Sequence, residues 1–465
     1  MKSTTKKILF MNLILFIFIS SCEDFLEVPI PTHKIMSETV FNDETTAISA
    51  MTGIYHELFN ATFSSGGINS VTALAGLSAD ILEPISTNNY QLTEFKENEI
   101  SPSNSANLKL WASAYKIIYM VNSLLEGLEN SQNISQETID RLQGEAKFVR
   151  AFTYLQLLAL YGEVPLITTT DYRNNALSAR NSIASIEMQI LTDLNDALIK
   201  VNTSSDEIER TRITKFAVMA LLARVYCYQD NWEKAAELSS LVIAETGTFE
   251  ILQNLDLVFL ANSREAIWQI SPKGRGNILT YPNEGQLFVG TSTSSIKLSD
   301  RFVSTFEPND SRMHHWIGFY SSGTRTFNFP YKYKDRSSNN NITEYSMVLR
   351  LAEQYLIRAE ARAMLGNLSD AIADIDKIRL RAGLELIVNI NPEIGKEALL
   401  ELILEERKNE LFSEWGHRWL DLKRTGTAAK ALEPIKPLWE ESDLLFPIPE
   451  EERIKNPNLG QNTGY

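Results

Sequence analysis

The chain has 465 residues, 44% of them hydrophobic, and its 59 acidic against 44 basic side chains give a formal net charge of −15. Excess carboxylate excludes nucleic acid as a ligand, because phosphate binding needs clustered Lys and Arg. Only two cysteines occur, Cys22 and Cys227, so stability must come from an apolar core and not from a disulfide framework.

Lys2, Lys6 and Lys7 precede an apolar run from Ile8 to Ile19, broken only by Asn12 and followed by Ser20 and Ser21. A basic start, a short apolar stretch and small residues make residues 1–21 a secretory signal peptide. The run falls short of the ~20 residues that span a bilayer as a helix. Cys22 stands where cleavage would occur, and Ile19-Ser20-Ser21-Cys22 resembles the lipobox of bacterial lipoproteins. That resemblance implies lipid attachment at Cys22 and a mature chain anchored to a membrane outside the cytoplasm.

Beyond the signal, apolar residues recur at helical spacing. Ala47, Ala50, Met51, Ile54, Tyr55 and Leu58 predict a helix over 43–60, and Trp111, Tyr115, Ile118 and Asn122 continue the pattern after a polar gap. A strong helix is predicted over 140–161, stopped by Gly162 and Pro165. Residues 215–245 and 351–381 match at an offset of 136, with Ala223 on Ala359, Asn231 on Asn367 and Ala235 on Ala371. Each block reads as helix, short turn, helix, with small residues where paired helices approach, as in tetratricopeptide repeats. The second block departs from that repeat, since Arg358 and Arg362 replace Leu222 and Tyr226. The expected fold is therefore mostly α, a tetratricopeptide-like scaffold with long loop and short-strand insertions at about 61–106 and 246–346. Ala266 to Ile270 is a candidate strand, and the aromatic content of the second insertion favours function over disorder.

Several local patterns together resemble the SusD/RagB-like outer-membrane lipoproteins of Bacteroidetes. Asp24-Phe25-Leu26-Glu27 with Pro29 and Pro31 is similar to the mature start of that family, and Glu145-Ala146-Lys147-Phe148-Val149-Arg150-Ala151 through Tyr161-Gly162-Glu163-Val164-Pro165 to a signature stretch. Asp310-x-Arg312, Arg350-Leu351-Ala352-Glu353, the run Glu406-Arg407, Glu410, Gly416, Arg418, Asp421 and Arg424, and the ending Phe446-Pro447-Ile448-Pro449 through Gly464-Tyr465 follow in family order. The resemblance implies one nutrient-binding domain over 22–465, with halves of about 22–262 and 263–465 and four helical pairs as scaffold. It also implies a surface lipoprotein that captures an oligosaccharide, or in some branches a peptide, and delivers it to a TonB-dependent outer-membrane transporter. Glu23 and Asp24, directly after Cys22, resemble the surface-export signal of such lipoproteins, with the segment around Pro29 and Pro31 as a leash. A helical-repeat scaffold that binds only proteins is the competing class.

No catalytic constellation is visible. The five histidines, His33, His56, His314, His315 and His417, do not pair as in a zincin, and Gly274-x-Gly276 lacks a third glycine. Neither an enzyme nor a bound cofactor or metal is expected. Glu414 and Arg418, at i and i+4, suggest an ion-pair lattice along a terminal helix. Sugar binding instead asks for flat aromatic faces flanked by hydrogen-bonding side chains. Asp80, Asn89 and Tyr90 in the first insertion, and Tyr281, Trp316 and Tyr320 in the second, are the ligand-binding candidates. Trp111, Trp232 and Trp268 are assigned to packing.

Overall fold

Asp43 accepts hydrogen bonds from the amides of Thr45 and Thr46 and so starts helix α1 (Glu44–Asn60), which buries Ala47, Met51, Ile54 and Leu58 as their spacing predicts. The computed structural model describes residues 41–201, 209–273, 280–337 and 341–465. Residues 1–21, Cys22, Glu23, Asp24, Pro29, Pro31, His33 and the Gly274–Gly276 stretch lie outside the described residues. After α1 come α2 (Val71–Ser78), α3 (Tyr90–Glu97), α4 (Ser105–Glu129), α5 (Gln136–Tyr161), α6 (Ile183–Lys200), α7 (Lys215–Tyr228) and α8 (Trp232–Ile243). The C-terminal part adds α9 (Leu351–Met364), α10 (Leu368–Arg381), α11 (Lys396–Leu411) and α12 (His417–Arg424). Shorter helical turns connect them.

From α4 through α10 each helix packs on the one before it, α1 lies on α4, and α11 closes on α9 and α10. One apolar cluster runs from Phe41 to Leu459, and a smaller one fills the space among α9, α10 and α11. The 136-residue offset marks two true helical pairs, α7–α8 and α9–α10. Ala223, Ala235, Ala359 and Ala371 are all fully buried, which lets each pair approach closely. The turns match as well: Asp230 and Gly366, both in the left-handed region at φ 57° and 85°, precede Asn231 and Asn367. Arg358 and Arg362 depart from the repeat because both grip Asp374 of α10, at 2.6 and 2.7 Å, replacing apolar contact by an ion pair across the helices.

The signature stretch in α5 ties the N-terminal helices together. Glu145 accepts from the Tyr55 hydroxyl of α1 at 2.8 Å, while Arg150 holds Asp193 of α6 through two bonds of 2.8 Å and Asn122 of α4 through a third. The C-terminal segment docks back on the same helices: Phe446 donates its amide to Leu160 and Asn107 donates to the Pro447 carbonyl, each at 2.8 Å.

The insertions differ from their expected form. Besides the short strand β1 (Leu82–Pro84), residues 61–106 hold α2 and α3, two eight-residue helices too short to show a periodicity. The second insertion supplies β2 (Ala266–Ile270), β3 (Ile296–Leu298), β4 (Ile317–Ser322) and β5 (Arg325–Pro330), with β6 (Ser346–Arg350) pairing antiparallel to β2 beneath the helices.

Trp111 and Trp268 are buried and Trp232 packs against the core, as assigned. The terminal ion-pair lattice takes another form. The chain leaves the helix between Leu411 and His417, with Ser413, Trp415 and Gly416 all at positive φ, so Glu414 and Arg418 share no helical face. Glu414 instead accepts from Arg350 and Lys332, and Arg418 pairs with Asp80.

Candidate functional site

The two insertions, distant in sequence, meet through one small sheet. β1 pairs antiparallel with β3, Pro84 facing Ile296, and the Ile85 amide donates to the Ser295 carbonyl at 2.8 Å. Just beyond Ile85 a polar turn, Ser86-Thr87-Asn88-Asn89, leads into α3, and Tyr90 in its first turn is 75% exposed. On the other side, β4 and β5 form a hairpin turned by Gly323 at φ 60°. In its register Tyr320 faces Phe327 and Ser322 faces Arg325, on one face of the ribbon. That face lies against residues 290–294: a Cβ on Gly290 would stand 3.0 Å from the Tyr320 Cβ and 2.5 Å from the Phe329 ring. Arg325 completes the junction, donating to the Ser292 and Ser294 carbonyls at 2.8 and 2.7 Å.

The six candidates divide. Tyr90 is exposed on α3, Asn89 is half-buried at the start of the same helix with no side-chain cap bond, and half-buried Tyr320 stacks on Phe327 with ring centroids 5.0 Å apart and planes 27° apart. Of the other three, Trp316 and Tyr281 are buried and Asp80 is committed to an ion pair. Trp316 has no exposed area, donates its indole N–H to the Leu255 carbonyl at 3.1 Å and meets Phe259 edge-on. Lys332, Arg381 and Arg350 lie 4.8, 5.5 and 5.8 Å from its ring, so its faces are occupied by buried cations. Tyr281 is 5% exposed and belongs to packing beneath the loop. Asp80 is half-buried in an ion pair at the wall of a cavity it lines with Arg301, Lys408 and Arg418, its two oxygens taking Arg418 at 2.9 and 2.8 Å; burial alone would raise its pKa, but Arg418 holds it below the ordinary value. Residue type and loop location, on which these three are chosen, do not encode depth or pairing.

Sequence reading also missed Arg325, the Phe327 ring beneath Tyr320, and Phe319, 66% exposed on the opposite face of the ribbon. The signal was available, since Ser321-Ser322-Gly323-Thr324 between aromatic pairs is a hairpin pattern.

Beneath the face lies a buried ionic cluster. Asp310 grips Arg312 at 2.7 Å, Arg312 reaches Glu406 at 2.5 Å, and Glu410 takes Arg350 at 2.5 Å as well as Arg381. Burial would raise the Glu410 carboxyl, but the surrounding cations hold it far below the usual carboxylate range. Burial lowers Lys332 to about 8 against the pull of Glu414. Each member has at least one oppositely charged partner, the Arg381 Nε–H alone among these groups being buried without one, and the pairs tie the second insertion to α10 and α11. His315, offset from His314, contacts Asp256 at 3.0 Å. Among the described residues no group of three His, Cys, Asp or Glu side chains could hold a metal ion, and no helix is long and apolar enough to cross a membrane. What the face offers chemically is an aromatic ring or two, amides and hydroxyls, and one guanidinium, an assembly suited to holding a hydroxylated ligand.

Comparison with known proteins agrees with the fold. A family model described as starch-binding associating with outer membrane (SusD-like) matches residues 24–227, and a SusD family model matches residues 321–465. A SusD-like protein of Formosa agariphila is 26% identical, the alignment covering 98% of this chain and 99% of that protein. A SusD superfamily crystal structure from Bacteroides vulgatus superposes with a TM-score of 0.80 at 21% identity, covering 91% of this chain and 100% of that one. A laminarin-binding SusD-like protein superposes with a TM-score of 0.76 at 23% identity and the same coverage. With both ends of the chain matched by models of one family, and full-length relatives between them, the chain belongs to the SusD/RagB-like family.

Proposed function

We propose that this protein is a cell-surface lipoprotein that captures an oligosaccharide, without turning it over, and hands it to a TonB-dependent outer-membrane transporter. The observation that carries the reading is the face where the two insertions meet, with Tyr320 backed by Phe327 and Tyr90 exposed across a polar turn. A ring held flat by a second ring is preorganised to stack on the apolar face of a sugar, at little further cost in side-chain entropy. Asn88, Asn89 and the Ser and Thr side chains around them supply hydrogen bonds to hydroxyls. Membership of a family described as associating with the outer membrane, and a laminarin-binding relative of the same fold, support the same reading. The lipobox-like end at Cys22 supplies the anchor, and the leash around Pro29 and Pro31 would hold the domain above a channel.

Calorimetric titration of the mature chain with glycan and peptide panels tests capture. Saturable binding of a glycan without product supports the reading, whereas peptide binding alone, product formation or no binding at all would replace it. Cys22→Ala should move the protein from the membrane to the soluble fraction, and unchanged fractionation would remove the anchor. Co-purification of a TonB-dependent transporter with the membrane-extracted protein tests delivery.

A further inference from the structure

The three segments that flank the β1–β3 junction are free of acidic residues in an acidic protein. Residues 85–93, 285–296 and 317–330 contain no Asp or Glu, although 59 of the 465 residues are acidic. Their sole basic residue is Arg325. Of the carboxylates beside these segments, Glu83 and Asp300 share Lys297 at 3.3 and 3.7 Å, and Glu94 accepts from the Ser101 amide and the Asn104 side chain at 3.0 and 2.7 Å.

Arg325 is placed differently from most arginines here. Both of its described hydrogen bonds go to backbone carbonyls, those of Ser292 and Ser294, and among the described residues it forms no ion pair. Neutral carbonyls fix the guanidinium without cancelling its charge. A guanidinium carries five N–H donors; two are used, the Nε–H is buried without a partner, and the remaining Nη–H groups are uncommitted. The group lies over the Phe327 ring at 5.6 Å, the same ring on which Tyr320 stacks. A fixed, unneutralised cation thus adjoins the aromatic platform, on the side from which carboxylates are missing. Elsewhere the net charge of −15 repels anions.

We infer that the ligand of this face is an anionic glycan, one bearing sulfate esters or uronate carboxylates, with Arg325 as its charge-reading residue. The inference rests on the proposed glycan-binding role of the same face. Arg325 makes charge-assisted hydrogen bonds to the anionic substituent while Tyr320 or Tyr90 stacks on the ring that carries it.

The test uses the full mature chain and three probes of similar length: a neutral laminarin oligosaccharide, a carrageenan oligosaccharide carrying sulfate, and an alginate oligosaccharide carrying carboxylate. At least one anionic probe should bind more tightly than laminarin at low salt and weaken as salt rises, and the two anionic arms distinguish sulfate from carboxylate. Arg325→Gln should weaken that probe by about tenfold, the worth of a charge-assisted hydrogen bond. Because this change also removes the bonds to Ser292 and Ser294, Ser322→Glu serves as the second variant. It leaves those bonds in place and sets a carboxylate directly across the hairpin from Arg325, a pairing that favours folding. It should abolish preference for the anionic probe with the melting temperature unchanged or slightly raised. Tighter binding of laminarin than of both anionic probes, or no effect of Ser322→Glu, overturns the anionic assignment and leaves glycan capture standing. No saturable binding to any of the three overturns both.

Discussion

Asp80 and Arg418, 338 positions apart, are joined by two hydrogen bonds of 2.9 and 2.8 Å. The pair clamps the end of α2 to α12, and the Asp80 carbonyl also accepts the Ser299 hydroxyl at 2.8 Å, so one residue pins both insertions to the terminal helix. Their side chains are 13% and 12% exposed, so solvent screens the pair only weakly. Arg418→Met strands a carboxylate in the interior and should cost about 2–4 kcal/mol. Asp80→Asn with Arg418→Met should cost less than the two single changes together. Chemical denaturation of the four proteins gives the coupling directly, and additive losses would show that the pair contributes nothing as a pair.

Tyr90 and Trp316 should behave oppositely. Removing the exposed ring by Tyr90→Ala should leave stability within about 0.5 kcal/mol while weakening glycan binding. Trp316→Ala empties a fully buried site beneath three cations and should cost about 3–5 kcal/mol or prevent folding. Thermal melts beside binding titrations separate the two, and a Tyr90→Ala protein that binds as before would exclude that ring from the face.

Glu284 should make stability fall with rising pH. It is 3% exposed, takes the Ser346 hydroxyl on one oxygen and leaves the other without a partner. Burial raises its pKa from 4.5 to about 7. The native state therefore keeps a proton that the unfolded chain has already released between those values. The stability contributed by the neutral acid is complete below about 4.5 and is lost as pH rises through about 7. Glu284→Gln, neutral throughout, should gain up to about 3 kcal/mol over the wild type at about pH 8. Part of the slope should persist, because burial also raises Glu344 to about 7. Parallel pH profiles of Tm for the two proteins would show that Glu284 does not titrate in this window.

Truncation after Asn456 should loosen the N-terminal helices. The lost segment includes Asn462, which donates to the Tyr161 and Phe446 carbonyls at 3.0 and 2.8 Å, and Gln461, which accepts from the Ile448 amide at 2.7 Å. Three such bonds at partly buried sites are worth about 2–4 kcal/mol together. An unchanged Tm would mean that Phe446 and Ile448 hold the docking alone.

Short-range pattern made the scaffold legible. Apolar residues three and four apart define a helical face wherever the helix lies, so α1, α5 and the two pairs 136 residues apart could be placed from spacing, and the left-handed turn position recurs in both pairs, at Asp230 and Gly366. Two eight-residue helices, α2 and α3, escaped because so few turns carry little periodicity. The ligand face was legible only in part, for exposure is a property of what arrives from elsewhere. Trp316 and Tyr320 stand four residues apart in one insertion, yet Trp316 is sealed by groups from positions 255, 332, 350 and 381, while Tyr320 remains half-open on Phe327. The sequence by itself thus determined the long helices that spacing marks and the pairing within the two offset blocks, because hydrophobic spacing acts within a few residues. Only the tertiary structure decided which aromatics stay open to solvent and that Arg325 is held by backbone carbonyls and not by a carboxylate, because burial and charge pairing are settled by partners brought together from distant parts of the chain.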